Sequence, residues 1–457
     1  MNSIVLFKNN LRINDNPPLF YASQYQNKLL PIYIYDNINI KKELGGASKY
    51  WLFNALKSLN KSLNNNLLFL KGDTSYILKD IVKKHSISNI FCEKPFLKNE
   101  IILFEKLKTE LSNYNVNINF YNCTLLWDPQ SILKKDHTPY KVFTPFYKKG
   151  CLESVIPDRP LGLPNKLNFL NVSNETKIED LNLLSKYKWY TKLNNLWSIT
   201  EESANNILDL FLIKKIYNYK KGRDYPASNL TSKLSPYIRF GMISINKIWH
   251  SLKNLSIDEN ITHFESELGW RDFSYYLLYH FPHMETNNLQ TKFNNFKWEN
   301  SIEKFNAWKV GKTGYPIIDA SMKELWETGY MHNRMRMVTA SFLVKNLLID
   351  WKLGERWFWE CLLDADYASN IAGWQWAAGT GADAAPYFRI FNPILQGEKF
   401  DSNGEYTLKY LPELKSVPIK LLQKPWEFNS SNLKYVNPII DLKDSRDNAL
   451  YQYSLIK

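Results

Sequence analysis

The first 122 residues alternate between short apolar runs and longer helix-periodic runs, and this constrains the fold more than any other feature. SIVLFK (3–8), KLLPIYIYD (28–36), LLFL (67–70), NIFCEK (89–94) and VNINFYN (116–122) are rich in β-branched and aromatic residues and read as strands. Between them, residues 47–64, SYILKDIVKKH (75–85) and NEIILFEKLKTEL (99–111) repeat apolar residues at helical spacing, with Asp73 and Thr74 as caps for the second. Strands joined by helices run parallel, and helices then cover both faces of the sheet. The expectation is a doubly wound α/β domain. No G-x-G-x-x-G follows the first strand, so the dinucleotide fingerprint is missing, although the strand ends can still hold a ligand.

Beyond Trp127 the alternation stops. PDRPLGLPNK and NVSNETK are rich in Pro, Gly, Asn and Ser and read as a long connector laid over the surface. From residue 199 strand signals vanish. TEESANNILDLFLIKKIYNY opens with a Thr cap and an acidic first turn, and helical patterns continue to about Leu363. The expected division is an α/β domain at 1–127, a connector at 128–198 and an all-α domain at 199–457.

Eleven of the fifteen tryptophans lie past residue 240, and five fall between Trp351 and Asp401 beside the acidic stretch DADYASN. Core packing explains some of them. Buried Asp carboxylates among so many indoles, however, need partners, and a large aromatic and polar ligand supplies both. The net charge of +13 favours a polyanion, either nucleic acid or an acidic membrane face; scattered solvated lysine explains it equally well. The four cysteines (Cys92, Cys123, Cys151, Cys361) form no CxxC pair, which fits a reducing compartment and argues against a disulfide scaffold or zinc finger. No basic leader or long uncharged apolar segment is present, so a soluble cytoplasmic protein is expected.

Four clusters have residue types suited to chemistry. The first is Tyr219-Lys-Lys-Gly-Arg223 followed by Thr231-Ser232-Lys233-Leu234-Ser235-Pro236. Here Ser235 and Pro236 read as an N-cap and first turn, and hydroxyls, a lysine and free N–H groups converge as a phosphate site would need; an ordinary capped loop looks the same. In the second, Glu267, Trp270 and Arg271 share a helix face, as a plain surface Glu–Arg pair also would. A metal site from His263, Glu267, His280 and His283 is disfavoured, because Pro282 interrupts the helix and no HExxH occurs. In the third, Asn333 and Met337 face one way, Arg334 and Arg336 elsewhere. A buried Arg336 needs an acid, and Asp364 is the natural candidate. The fourth is DADYASN itself.

On these segments, together with FKNNLRINDNPPL (7–19) and KVFTPFYKK (141–149), the chain resembles the photolyase/cryptochrome family, and most closely its bacterial class I cyclobutane pyrimidine dimer photolyases. The resemblance is dense from Tyr219 to Asp401 and thinner before residue 127. It implies an antenna-chromophore α/β domain, and a helical domain holding FAD that is reduced and anionic when active. It implies FAD contacts from Tyr219, Thr231, Ser232, Lys233, Leu234, Ser235, Glu267, Arg271, Asn333, Arg336, Asp364, Asp366 and Asn370, the last facing flavin N5. It implies DNA or dimer contacts from Arg223, Glu267, Trp270, Arg271, Asn333, Arg334, Met337, Trp376 and Gln396. Trp298, Trp351 and Trp374 match the family's electron-transfer chain, and Glu267, Asn333 and Asn370 its catalytic groups. His332 is followed by Asn333 rather than by the two-histidine pattern of photolyases that act on (6-4) photoproducts, which points to cyclobutane dimers.

Asn99 and Glu100 match the pair that holds methenyltetrahydrofolate in pterin-type relatives. The lysine that helps there is not evident, and LGGAS (44–48) leaves room for a deazaflavin; folate is the favoured antenna. Tyr330 stands where close relatives have Trp. The implied activity is light-driven repair of UV-damaged DNA by a monomer without an obligate protein partner, cytoplasmic and nucleoid-associated through DNA. The alternative is a cryptochrome-type photoreceptor without repair activity, which the Asn at position 370 disfavours because plant cryptochromes carry Asp there.

Overall fold

The computed structural model describes residues 2–25, 27–164, 166–172, 176–384, 386–429 and 433–456. Five strands, β1 (Asn2–Phe7), β2 (Lys28–Tyr35), β3 (Leu68–Lys71), β4 (Ile87–Glu93) and β5 (Asn117–Tyr121), form one parallel sheet in the order β3-β2-β1-β4-β5. Helices α1 (Pro17–Gln24), α2 (Gly46–Ser62), α3 (Thr74–His85) and α4 (Lys98–Ser112) provide the crossovers. Asp73 caps α3 by accepting the Tyr76 N–H at 2.7 Å, as its sequence predicts. β1 is buried on both faces. Ile4 and Leu6 pack with Ile32, Ile90 and the α3 and α4 residues Leu78, Ile81, Phe104 and Leu107, so these strands lack the alternation of a half-solvated sheet.

β1 is flanked by β2 on one side and β4 on the other, so the crevice at its carboxyl end is the topological switch point. Lys8 ion-pairs with Glu100 there, and the buried Glu93 accepts the Asn9 N–H at 3.1 Å. β3 pairs with β2 only from Ile32 onward. At Leu29 the connector takes over the exposed edge, through Leu29 N–H to Asn168 O (2.7 Å) and Leu170 N–H to Leu29 O (2.8 Å).

From Thr200 onward every regular element among the described residues is a helix. Thr200 Oγ1 accepts the Ser203 N–H at 3.0 Å and so caps α5 (Glu201–Lys214). The helices that bear the candidate residues are α6 (Glu259–His280), α7 (Pro316–Thr328), α8 (Asn333–Ser341), α9 (Trp351–Cys361), α10 (Tyr367–Ala378) and α11 (Pro393–Phe400). Cα proximity divides the chain into two compact units: 1–140, 144–214 and 232–280; and 141–143, 215–231 and 281–457. All four cysteines are free and buried. Among the described residues no helix is long and apolar enough to cross a membrane.

Candidate functional site

In the second unit the turn between α7 and α8 brings several predicted residues together. Gly329 ends α7 at φ +67° in the left-handed region, and a Cβ there would lie 2.7 Å from the Leu363 side chain. The Leu363 N–H donates to Gly329 O at 2.8 Å, which joins the turn to residues 362–364. Arg336 then reaches Asp364 with Nη2 at 3.0 and 2.8 Å from its two carboxylate oxygens, while Nε donates to Met331 O at 2.8 Å. The acid expected from sequence is therefore the one found. Burial of Tyr330 beside this pair pushes its phenol up to about 12.

Asp366 is buried and caps α10, accepting the Ser369 N–H at 2.8 Å. One turn on, Asn370 Nδ2 donates to Glu355 Oε1 (2.7 Å) and Glu355 O (3.0 Å). Glu355 is buried on α9. With its nitrogen committed twice, Asn370 has its amide oxygen left to offer a ligand, so it serves as an acceptor.

Arg334 Nη2 lies 2.6 Å from Asp224 Oδ1, and the guanidinium sits 4.5 Å from the centroid of Phe400. Gln396 is one turn before Phe400 on α11 and so shares its face. Arg223 lies 5.6 Å from the ring centroid of Tyr219. Among the described residues four buried polar atoms on three side chains here lack a hydrogen-bond partner: Arg334 Nε, Gln396 Oε1 and both ring nitrogens of His332. Natural interiors rarely leave such groups unmatched, so each calls for a partner such as water, an ion or a ligand. Burial first, then Arg223 and Arg336, push the His332 imidazole down to about 4. Asn333 is exposed, and Met337 half-buried on the same face of α8.

The tryptophans are distributed. Trp374 on α10 lies edge-on to Phe358 (4.9 Å) and Trp308 (6.2 Å). It rests against Gly354, where a Cβ would come 2.2 Å from its ring. Trp351 is buried on α9 and donates Nε1–H to Asn288 Oδ1 at 2.9 Å. Trp298 packs 4.5 Å from Phe296 in a cluster with Phe293, Tyr387 and Tyr453. Trp376 is half-buried.

In the first unit Glu267, Trp270 and Arg271 share a face of α6, as their spacing requires. Glu267 Oε1 lies 3.9 Å from His263 Nε2. Arg271 donates to Thr124 O at 2.6 Å and lies over Tyr275. His280 Nε2 donates to Pro129 O at 3.0 Å. No group of three or more His, Cys, Asp or Glu able to hold a metal occurs among the described residues.

Ser235 does not cap its helix. The short helix Ser235–Arg239 begins on it, Leu234 holds the cap position, and Ser232 Oγ instead accepts the Leu234 N–H at 3.3 Å. The sequence pairing of Ser235 with Pro236 placed the cap one residue late; Lys233, two residues before, sits in the left-handed region at φ 55°. Leu234, expected as a cofactor contact, is fully buried, backbone included, and so is not open to a ligand in this structure. Asn99 and Glu100 open α4 half-buried.

Sequence reasoning missed Asp272. This buried carboxylate accepts the Leu126 (2.7 Å) and Trp127 (3.1 Å) N–H groups and so fixes residues 124–127 against α6 beside Arg271. Burial, opposed by Arg271, pushes it up to about 7. That lies above an unfolded value of about 3.9, so the folded state holds the extra proton between the two and the group's contribution to stability falls as pH rises through this window. Asp272→Ala is expected to cost roughly 3 kcal/mol by stranding two buried N–H groups. Asp272→Asn is expected to keep an acceptor while flattening the pH dependence. Thermal melts at about pH 5 and about pH 7.5 check both.

The family model described as "FAD binding domain of DNA photolyase" matches residues 264–455, and the "DNA photolyase" model matches residues 3–163. Tyr219 and Thr231–Ser235 lie outside both spans. A deoxyribodipyrimidine photo-lyase of Agrobacterium fabrum is 39% identical, with 99% of this chain and 98% of that protein covered. A cryptochrome-2 of Arabidopsis thaliana is 32% identical over 97% of this chain and 77% of its own length. Among solved structures, a bacterial class III photolyase from Agrobacterium tumefaciens superposes with a TM-score of 0.94 at 37% identity, covering 100% of this chain and 97% of that one. The donor set fits a flavin nucleotide: a buried Arg–carboxylate pair, a second buried carboxylate, an acceptor amide and unmatched buried polar atoms lie within the span matched to the FAD-binding model.

Proposed function

The chain belongs to the photolyase/cryptochrome family as a photolyase with an FAD-binding domain, and from that premise we propose that it splits cyclobutane pyrimidine dimers in DNA using light. The observation that carries the reading is Asn370. Held by Glu355 through its nitrogen, it offers a neutral acceptor, which suits a flavin N5 that bears a proton, as in the reduced form. Bound FAD, reduced and anionic, supplies the electron whose transfer to the dimer opens the cyclobutane ring and which then returns.

The chain's own residues bind and orient. Arg336 and Asp364 brace one another beside the isoalloxazine, and Asp366 meets the ribose. Tyr219, Thr231, Ser232, Lys233 and Ser235 hold the pyrophosphate side. Glu267 accepts a hydrogen bond from the lesion base and Asn333 adds a second polar contact. Trp270, Arg271, Met337, Trp376 and Gln396 are the further contacts we infer for the flipped-out dimer, the aromatic rings by stacking on its bases. Flipping costs less for a damaged pair than for an intact one. Trp298, Trp351 and Trp374 carry electrons inward to reduce the oxidised cofactor.

Arg223 and Arg334 meet backbone phosphates. Arg223→Ala is expected to weaken DNA binding and to lower the slope of log K against log salt by about one. Titrations at several salt concentrations check this, and an unchanged slope would place Arg223 outside the footprint.

We infer a functional division into 1–127, 128–198 and 199–457, with methenyltetrahydrofolate held by Asn99 and Glu100 as second chromophore in preference to a deazaflavin. The emission spectrum of purified protein distinguishes the two. The protein would act as a cytoplasmic monomer, nucleoid-associated through DNA. Lesion specificity is tested by illuminating reduced holoprotein with duplexes that carry one cyclobutane dimer or one (6-4) photoproduct. Repair of the first alone is expected. Repair of neither, with flavin bound, favours the photoreceptor reading.

A further inference from the structure

We propose that Asp224 and His332 are positioning residues for Arg334: when a nucleic-acid phosphate takes the Arg334 guanidinium, Asp224 is released and pairs with His332, which gains a proton. The inference rests on the reading of Arg334 as a DNA contact.

Arg334 is already engaged, since Nη2 lies 2.6 Å from Asp224 Oδ1. The pair is accessible, with side chains 19% and 37% exposed. A phosphodiester competes for the same planar donors as a carboxylate, so binding displaces Asp224. The displaced carboxylate needs a new partner, and the structure supplies an unsatisfied one. His332 is 5% exposed, and neither ring nitrogen has a hydrogen-bond partner among the described residues. Its backbone is fixed, with the N–H donating to Glu324 Oε2 at 3.2 Å.

The charged groups that act on the imidazole are Arg223 and Asp224 from the segment after Tyr219, and Arg334 and Arg336 from α8. The three arginines and burial oppose protonation, while Asp224 favours it. In the free protein the ring is therefore neutral at physiological pH. A phosphate that offsets Arg223 and Arg334 and frees Asp224 moves these three influences towards the imidazolium, while burial and Arg336 still oppose it. One proton passes from solvent to His332 per complex, and no covalent bond changes. Because the proton is gained on binding, affinity rises as pH falls.

The test uses FAD-loaded protein and duplex DNA at fixed ionic strength. Calorimetry in two buffers of different ionisation enthalpy is expected to show uptake of about half a proton near pH 6.5. Affinity is expected to tighten about tenfold from pH 7.5 to pH 5.5 if the bound imidazole returns to its ordinary value of about 6.5. His332→Gln is expected to keep its flavin absorbance and lose both effects. Asp224→Asn, which frees Arg334 without touching the ring, is expected to bind DNA at least about threefold more tightly at neutral pH and to lose the proton uptake. If His332→Gln does not fold, the Asp224→Asn arm decides alone. Absent uptake in the wild type, uptake that persists in His332→Gln, or weaker binding by Asp224→Asn overturns the exchange. DNA affinity unaffected by Arg334→Ala sinks the DNA reading of Arg334 itself, and the exchange with it.

Discussion

Asp364→Ala is expected to purify without flavin. Asp364 is 8% exposed and meets Arg336 through both oxygens, so its removal leaves a largely buried guanidinium with no counter-charge. Breaking such a pair costs roughly 3–5 kcal/mol, because the remaining ion keeps its desolvation penalty and loses its partner. Even the lower figure corresponds to more than about a hundredfold in affinity if it falls on the bound state. The Met331 carbonyl that accepts from Arg336 Nε limits how far the freed side chain can swing to water. The ratio of flavin absorbance to protein absorbance after gel filtration measures the effect, and full retention of flavin would remove this pair from the cofactor site.

Trp374→Phe is expected to abolish photoreduction of the oxidised cofactor while protein reduced beforehand still repairs dimers. A benzene ring is far harder to oxidise than an indole, so the inward electron path fails at this position. The route from cofactor to dimer does not use it. Folding is expected to survive. The ring is packed against Gly354, Phe358 and Trp308, and a phenyl group leaves a modest cavity worth about 1–2 kcal/mol. Absorbance under steady illumination with an external reductant separates the two activities. Photoreduction at the wild-type rate would show that electrons enter elsewhere.

The sheet was legible because its signals are local: five apolar runs, helical periods between them and a capping Asp73 all lie within a few residues of what they specify. The pairing of Arg336 with Asp364 was legible for a different reason, since a buried arginine demands an acid and the acidic stretch DADYASN offered Asp364. What sequence could not show depends on contacts between distant segments. Asp272 holds N–H groups almost 150 positions earlier in the chain, and no motif marks it. Glu355, fifteen residues before Asn370, decides which end of that amide faces outward, yet on a helix it reads as an ordinary surface glutamate. His332 reads from sequence as one histidine where a pair is missing, and its isolation among arginines exists only in three dimensions. Ser235 shows the opposite limit: a correct residue type for a cap, with the helix starting one position earlier than its side chain suggests.

The most direct test mixes reduced, FAD-loaded protein with UV-irradiated oligothymidine and follows base absorbance under blue light and in darkness. The account predicts that absorbance of intact thymine returns under illumination, that recovery stops when the lamp is off, and that its yield falls with Glu267→Ala. An illuminated sample that keeps its flavin reduced, binds the damaged strand and recovers no absorbance would contradict it.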